Sequence, residues 1–404
     1  VCCLRLLPPF VASSFPNSIP RPDMPEPPAS PPSDSADASS RAPDAIRAAV
    51  FEGPEAGVHL GALPRPSLAP GAALVRIDCC TVCGSDVHTY TGARTEPTPT
   101  VLGHEMVGRI AAIGGAGLTD YQGEPLAVGD RVTWSMQVTC GDCFACTHGL
   151  PQKCTALFKY GHAAISEQHA LNGGLTEVCH LRPGTTLVRV PAAVPDVVAS
   201  PANCATATVA GAVRLAGSLS DRVVLVQGVG MLGLTAIAMA DAAGAAAIVA
   251  VERQARRREW ARAFGATAAL DPEALGGDGW AGALRDYSDG RGADVLLELT
   301  GHPEATEHGL AALRTGGTAV LVGATYPARP LRLEAETLVR RVLTIRGLHN
   351  YTHDDLARAV AFLAAHHDDY PFADVVHDGF SLAAVEAAFE AALAGRSARV
   401  AVRP

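Results

Sequence analysis

At 404 residues the chain is too long for one ordinary hydrophobic core, so two domains are expected. Its 48% hydrophobic and 18% charged residues are those of a globular protein. A net charge of −9 argues against nucleic acid as a main partner, and no apolar run reaches the roughly 18–20 residues that span a membrane.

Residues 1–45 are expected to be a disordered extension. From 16 to 45 the chain is rich in Pro, Ser, Ala and Asp and offers no apolar core. The opening VCCLRLLPPF has the flavour of a secretion signal, but Pro8-Pro9 interrupts it and no small-residue cleavage site follows. Met24 is an alternative start. Order is expected from Ile46. Ala72–Asp78 alternates as a strand, and Val107–Ile113 and Asp130–Val138 read as further strands, with Gly114-Gly115 and Gly129-Asp130 as turns. Short strands with frequent turns predict a small barrel-like β domain up to about residue 200.

From Asp221 the pattern changes. Val223–Gln227 is a continuous apolar run, as in a buried parallel sheet. A glycine-rich turn, an Ala-rich helix and the strand Ala247–Val251 follow. Val295–Glu298, Ala305–Leu313, Thr318–Val322 and Val342–Ile345 continue the alternation of strand and helix, which predicts a doubly wound sheet. After Gly347 come two amphipathic helices. One shows Leu356, Val360 and Leu363 on a face; the other shows Leu382, Val385, Phe389 and Leu393, with Gly395 as its C-terminal cap. Arg399–Val402 reads as a closing strand.

Four of the eleven cysteines form Cys140-x-x-Cys143-x-x-Cys146-x7-Cys154. Four thiolates from one loop close a tetrahedral site, the pattern of a structural zinc. Upstream, Cys83-Gly84-Ser85-Asp86-Val87-His88 and Gly103-His104-Glu105 bring together donors that a catalytic zinc prefers, and Cys83 and His104 are read as two of its three ligands. Metal–thiolate chemistry of this kind suits a reducing cytoplasm better than a disulfide ladder does. Gly228-Val229-Gly230-Met231-Leu232-Gly233 follows a strand and opens a helix, the setting in which G-x-G-x-x-G binds a dinucleotide pyrophosphate. Glu252 ends the next strand, where a carboxylate accepts from the ribose hydroxyls and repels a 2′-phosphate; this favours NAD. Arg253 keeps NADP open, while Arg256, Arg257 and Arg258 suit a solvated helix face.

From about residue 46 onward the order CGSDVH, GHE, four-cysteine loop, GVGMLG resembles the zinc-dependent medium-chain alcohol dehydrogenases. The resemblance implies an α/β protein: a GroES-like β-barrel catalytic domain over 46–201, a Rossmann doubly wound parallel-sheet NAD-binding domain over 202–345, and a segment 346–404 returning to the catalytic domain. The runs GLPQKC, KYGH and PANCATAT look most like the phosphonate-catabolism-associated subgroup. The resemblance also implies that Cys204, 24 residues before Gly228, is the third catalytic zinc ligand. Polyol dehydrogenases tend to carry Glu there. A small core cysteine is the rival reading of Cys204, and His162 is a rival ligand that matches no ligand position of the family.

The resemblance implies two zinc ions per chain, NAD or NADP as cofactor, a small alcohol or aldehyde substrate and a homodimer or homotetramer. Zinc would act as a Lewis acid on the alcohol oxygen, with hydride passing to the nicotinamide. Ser85 matches the first proton-relay hydroxyl and His88 the outer one; a turn serine and a surface imidazole are the alternatives. Asp86 matches a carboxylate orienting His104. Glu105 matches an acid that approaches zinc, or else a buried salt bridge. Thr208 resembles a residue lining the nicotinamide. Lysine occurs only at 153 and 159, beside the metal motifs. Lys159 or His162 would hold a phosphonate or carboxylate, unless Lys159 simply lies on the surface. His349, Asn350 and Tyr351 are candidates for lining the cleft.

Overall fold

The computed structural model describes residues 45–404, apart from 116, 277 and 278, so the expectations for residues 1–44 lie outside the described residues. The strand Ala73–Val82 is the spine of the first domain. It lies inside a seven-stranded sheet, flanked by Glu105–Ile113 and Arg399–Arg403, both antiparallel to it. Val178–Leu181 pairs with its first half. Neighbours on both edges and cover on both faces explain why its side chains are nearly all buried, including Cys79 and Cys80. Burial pushes the Cys79 thiol up to about 12 and that of Cys80 well above its ordinary value, so both behave as small apolar side chains.

The run 130–138 is two strands rather than one. Arg131–Trp134 pairs with Glu105–Ile113 in the large sheet, whereas Gln137–Val138 pairs with Phe158–Lys159 in a separate ribbon. The break comes at Ser135 and Met136, because the Met136 N–H donates to the Tyr351 hydroxyl, 3.0 Å, instead of to a strand neighbour.

The second domain is a six-stranded, wholly parallel sheet. Its order is Ala268–Leu270, Ala247–Val251, Val223–Gln227, Ala293–Glu298, Leu313–Leu321, Thr344–Gly347. The chain reverses direction of winding between Val223–Gln227 and Ala293–Glu298, and in such sheets a crevice opens at the carboxyl ends of those strands. Gly228 turns there with φ +87°, and a Cβ on Gly233 would collide with the Gly228 carbonyl oxygen, so helix and strand meet only because both are glycine. Among the described residues no helix is long and apolar enough to cross a membrane.

The last sixty residues bind the two halves together. In the helix His353–His366, Leu356, Val360 and Leu363 are buried, and Thr352 and Asp355 form a reciprocal cap at its start. The Asp355 carboxylate also accepts from Arg214 Nε and Nη2 at 2.8 and 2.9 Å, tying this helix to Ala205–Ala216. In the second helix, Val385–Leu393, Leu382, Val385 and Phe389 are buried but Leu393 is half exposed. Leu382 lies in a preceding 3₁₀ turn, and residues spaced by four drift around a helix of 3.6 residues per turn, so Leu393 leaves the core face. Gly395 follows with φ +64°.

Although burial opposes it, Arg214 and Thr352 hold the Asp355 carboxyl below its ordinary range. A carboxylate depressed in the folded state stabilises the fold above its unfolded pKa, and that stabilisation is lost as the pH falls through the folded value. Asp355→Ala should cost about 3 kcal/mol, the low end for breaking a buried pair because Arg214 keeps access to water. Thermal unfolding should show a lower Tm for the variant at pH 7, with the gap from wild type narrowing under strongly acid conditions.

Candidate metal and cofactor site

Cys83, His104 and Cys204 present their ligand atoms within 4.8 Å of one another. Each is delivered by an element boundary. Cys83 ends the spine strand and caps the helix Gly84–Tyr90; His104 immediately precedes Glu105–Ile113. Antiparallel pairing sets Thr81 opposite Glu105, so both ligands emerge at one end of the sheet. Cys204 lies between the 3₁₀ turn Ser200–Asn203 and the helix Ala205–Ala216. That turn is fixed to the sheet by Asn203, whose Oδ1 accepts from Met106 N and whose Nδ2 donates to the Trp134 carbonyl, and by Ser200 Oγ, which donates to the Glu105 carbonyl.

Asp86 organises the other two ligands. Its carboxylate accepts from Cys83 N at 2.9 Å and Gly103 N at 3.2 Å, and lies 3.1 Å from His104 Nδ1. A carboxylate at Nδ1 makes that nitrogen the donor and leaves Nε2 as a lone pair facing the two sulfurs. The Cys83 thiol is held well below its ordinary value, first by its hydrogen bond with Cys204 and then by the Arg399 guanidinium, while Cys204 is correspondingly raised. Two sulfurs and one imidazole nitrogen turned toward each other are a donor set that fits zinc with one position left open.

The second set is Cys140, Cys143, Cys146 and Cys154, also within 4.8 Å. Cys140 N and Ala156 N point at Cys154 Sγ, 3.3 Å each, and Cys143 N points at Cys140 Sγ, 3.4 Å. Backbone donors aimed at sulfur favour thiolates, and four of them from one lobe fit a closed, structural zinc.

At the crevice of the parallel sheet, a cavity of about 600 Å³ is lined by Gln227, Gly228, Glu252, Arg253, Trp280 and Thr300, among others. The Glu252 carboxylate accepts from Val229 N and Gln254 N, 2.9 Å each, which fixes it at the cavity wall. The helix that opens at Met231 is capped by Gly230 and directs its N-terminus at the same crevice.

The two halves of the chain match known families separately. Residues 69–192 match the alcohol dehydrogenase GroES-like domain, and residues 231–365 match the zinc-binding dehydrogenase family. Over 305 residues the chain is 31% identical to an L-threonine 3-dehydrogenase of Pyrococcus horikoshii, covering 73% of this chain and 80% of that one. The chain belongs to the zinc-binding, medium-chain alcohol dehydrogenase superfamily. It is also 31% identical to a 5-exo-hydroxycamphor dehydrogenase of Pseudomonas putida, over 81% of this chain and 90% of that one. An alcohol dehydrogenase of Thermotoga maritima has the same fold, with TM-score 0.85, 27% identity and coverage of 89% and 99%. These likenesses carry the superfamily and do not single out the phosphonate-associated subgroup. The dehydrogenase is therefore an oxidoreductase of CH–OH groups with zinc and NAD(P) as cofactors.

Several residues sit differently from their simplest reading. His162 is not in the triad: its ring lies 4.8 Å from that of His104 and its Nδ1 is 3.3 Å from Glu96. Ser85 Oγ is 3.3 Å from His104 Nε2. His88 is exposed, its ring tilted against that of Tyr326 with centroids 4.6 Å apart, and no hydrogen bond joins it to Ser85 among the described residues. Thr208 is buried one turn after Cys204, its N–H donating to the Cys204 carbonyl. The arginines after Glu252 are not a purely solvated face. Arg258 bonds the Glu252 carbonyl and pairs with Asp271 at 2.9 Å, and Arg256 lies over the Trp260 ring. The Glu252 carbonyl and Asp271 hold Arg258, and the Trp260 ring holds Arg256.

Sequence reasoning missed Arg399. Its guanidinium grips Glu105 at 2.7 and 2.9 Å and reaches Cys83 Sγ at 3.5 Å, fully inside the protein, while Thr81 Oγ1 donates to the same carboxylate. Glu105 is thus in a buried ion pair beside the candidate metal ligand Cys83. The one signal was an arginine opening an otherwise apolar strand, Arg399-Val400-Ala401-Val402. Cys83→Ala should lower bound zinc from two ions per chain to one, measured by elemental analysis of the purified protein, with the Cys140 lobe retaining its own.

Proposed function

We propose that the protein is an NAD-preferring alcohol dehydrogenase whose catalytic zinc is held by Cys83, His104 and Cys204, and whose structural zinc is held by Cys140, Cys143, Cys146 and Cys154. The observation that carries this reading is the convergence of two sulfurs and one imidazole, oriented by a buried carboxylate. When bound, zinc supplies Lewis acidity toward an alcohol oxygen and the nicotinamide ring supplies the hydride acceptor. Asp86 keeps the His104 lone pair directed into the site. Ser85, beside that imidazole, would take the alcohol proton while releasing its own hydroxyl proton, and His88, at the exposed end of the same short helix, would receive that proton through an intervening hydroxyl or water and release one to solvent. Glu105 and Arg399 exclude water behind Cys83 and fix its sulfur. Thr208 lines the nicotinamide. Gly228, Gly230, Met231, Leu232 and Gly233 cradle the pyrophosphate.

NAD is favoured over NADP by charge. Glu252 faces the cavity, where its carboxylate repels a 2′-phosphate, and the neighbouring Arg253 pairs with Glu273 at 2.6 Å. The substrate is a small alcohol, with a phosphonate-bearing alcohol as the specific form suggested by the subgroup motifs. A threonine-type dehydrogenase is the second reading, favoured by the threonine 3-dehydrogenase relative. Cys204, where polyol enzymes tend to carry Glu, speaks against a polyol, and the intact ligand triad speaks against a zinc-independent quinone or enoyl reductase or a non-catalytic binder. A homodimer or homotetramer is the proposed assembly. The buried free thiols Cys79, Cys80 and Cys179 suit a reducing, cytoplasmic setting.

Reduction of NAD and of NADP should be followed against 2-hydroxyethylphosphonate, ethanol, sorbitol and threonine. We expect kcat/KM with NAD to exceed that with NADP by about tenfold or more, and Glu252→Ala to erase most of the difference. Equal use of both cofactors by wild type would refute the preference. Ser85→Ala should lower kcat about 100-fold while leaving zinc content at two.

A further inference from the structure

Glu298 is a buried acid that neither the metal ligands nor the relay uses. It ends the strand Ala293–Glu298 at the crevice edge of the parallel sheet, and it is fully enclosed. Among the described residues no arginine or lysine pairs with it. Its partners are in the turn that follows. The carboxylate accepts from Thr300 N at 2.8 Å, from Gly301 N at 3.0 and 3.2 Å, and from the Thr300 hydroxyl. Burial pushes the carboxyl above its usual range, and these donors work against that. A buried carboxylate without a counter-cation is costly unless hydrogen bonds satisfy it, so acid and turn hold each other in place.

The main chain at this point is equally engaged. The Glu298 carbonyl accepts from Val322 N at 2.9 Å and Gly323 N at 3.1 Å, and Leu299 N donates to the Gln227 carbonyl at 3.0 Å. The junction therefore ties together the ends of three neighbouring strands. The turn itself is a wall of the cofactor cavity, where Thr300 and His302 stand with Gly228 and Glu252. A Cβ on Gly228 would lie 2.9 Å from Thr300 Cγ2 and 3.3 Å from Thr300 N. On the other side, a Cβ on Gly301 would collide with the Gly323 carbonyl oxygen. The turn is thus packed between the glycine turn assigned to the pyrophosphate and the loop that begins at Val322, with little room to shift toward either.

We propose that Glu298 is a positioning residue of the cofactor site: without lining the cavity itself, it holds Thr300 and Gly301 where they complete the crevice wall beside Gly228. The inference rests on the dehydrogenase reading for the identity of the dinucleotide and on these hydrogen bonds for the role. Every side-chain partner of Glu298 is a donor, and three of the four contacts fall on Oε1. Glutamine keeps that acceptor at the same length; alanine removes it.

The test uses the zinc-loaded full chain and NADH. The dissociation constant, read from nicotinamide fluorescence, should rise about tenfold or more in Glu298→Ala and stay within about threefold of wild type in Glu298→Gln. In Glu298→Ala the KM for NAD should rise by a similar factor, while kcat at saturating NAD and the KM for 1-propanol change by less than about twofold. Thr300→Val, which keeps the acid and removes one donor, should weaken NADH about threefold. Asp294→Ala is the control for lost stability. Asp294 lies at the opposite end of the same strand, accepting from Val223 N at 2.8 Å and Arg314 Nε at 2.6 Å, so its loss should lower Tm and leave the NADH constant unmoved. An unmoved constant in Glu298→Ala, or equal weakening in Glu298→Gln or Asp294→Ala, overturns the role. A fall in kcat at an unmoved KM for NAD also overturns it, by assigning Glu298 to the chemical step. If Glu298→Ala does not fold, Thr300→Val decides, and unmoved NADH binding there overturns the proposal. All of these outcomes leave the dehydrogenase reading intact; failure of wild type to bind NADH sinks that reading and the inference with it.

Discussion

The Asp86 carboxylate is the constraint on which the metal site depends. One side chain, almost wholly buried, accepts from the backbone of Cys83, accepts from the backbone of Gly103 and sits against His104 Nδ1. Two loops that are about twenty residues apart in sequence are thereby locked together with one imidazole tautomer selected. A buried carboxylate left without these donors would be costly, so the interaction fixes geometry from both directions: the loops satisfy the charge, and the charge positions the loops. Asp86 in turn depends on the spine strand, since only the antiparallel register of Ala73–Val82 with Glu105–Ile113 brings the two loops to one edge.

A second buried charge extends this logic across the whole chain. Arg399 enters on a strand that is paired with the spine and carries the C-terminal residues back to the first domain. Its fork on Glu105 and its contact with Cys83 place a residue 294 positions downstream of Glu105 against the candidate metal site. The helix His353–His366 performs a comparable task on the other side, where Asp355 binds Arg214 and Tyr351 braces Asn203 next to Cys204. The C-terminal segment thus returns a strand to the first sheet and braces the candidate metal site.

The two buried-charge clusters differ from the Lys153 ammonium in how the fold satisfies them. Glu105 with Arg399 and Asp355 with Arg214 are closed pairs, each satisfied by forked hydrogen bonds. Lys153, by contrast, meets no carboxylate among the described residues and donates to His349 Nδ1 at 2.6 Å. Fixed pairs of this kind contribute geometry, since each charge is satisfied only when both elements are in place.

Much of this was legible in the residues alone. Local pattern determined the parallel strands Val223–Gln227 and Ala247–Val251, the glycines of the dinucleotide turn and the cysteine spacing of the metal lobe, since period, turn chemistry and ligand spacing are properties of neighbours in sequence. What tertiary structure decided was everything that depends on distant partners. The split of 130–138 into two strands follows from Tyr351; the burial of Arg399 follows from Glu105; the inward packing of Arg258 follows from Asp271. So does the meeting of Lys153 with His349, about two hundred residues further along the chain. A long side chain near an acceptor takes its position from the acceptor, and where that acceptor lies is set only when the sheets close.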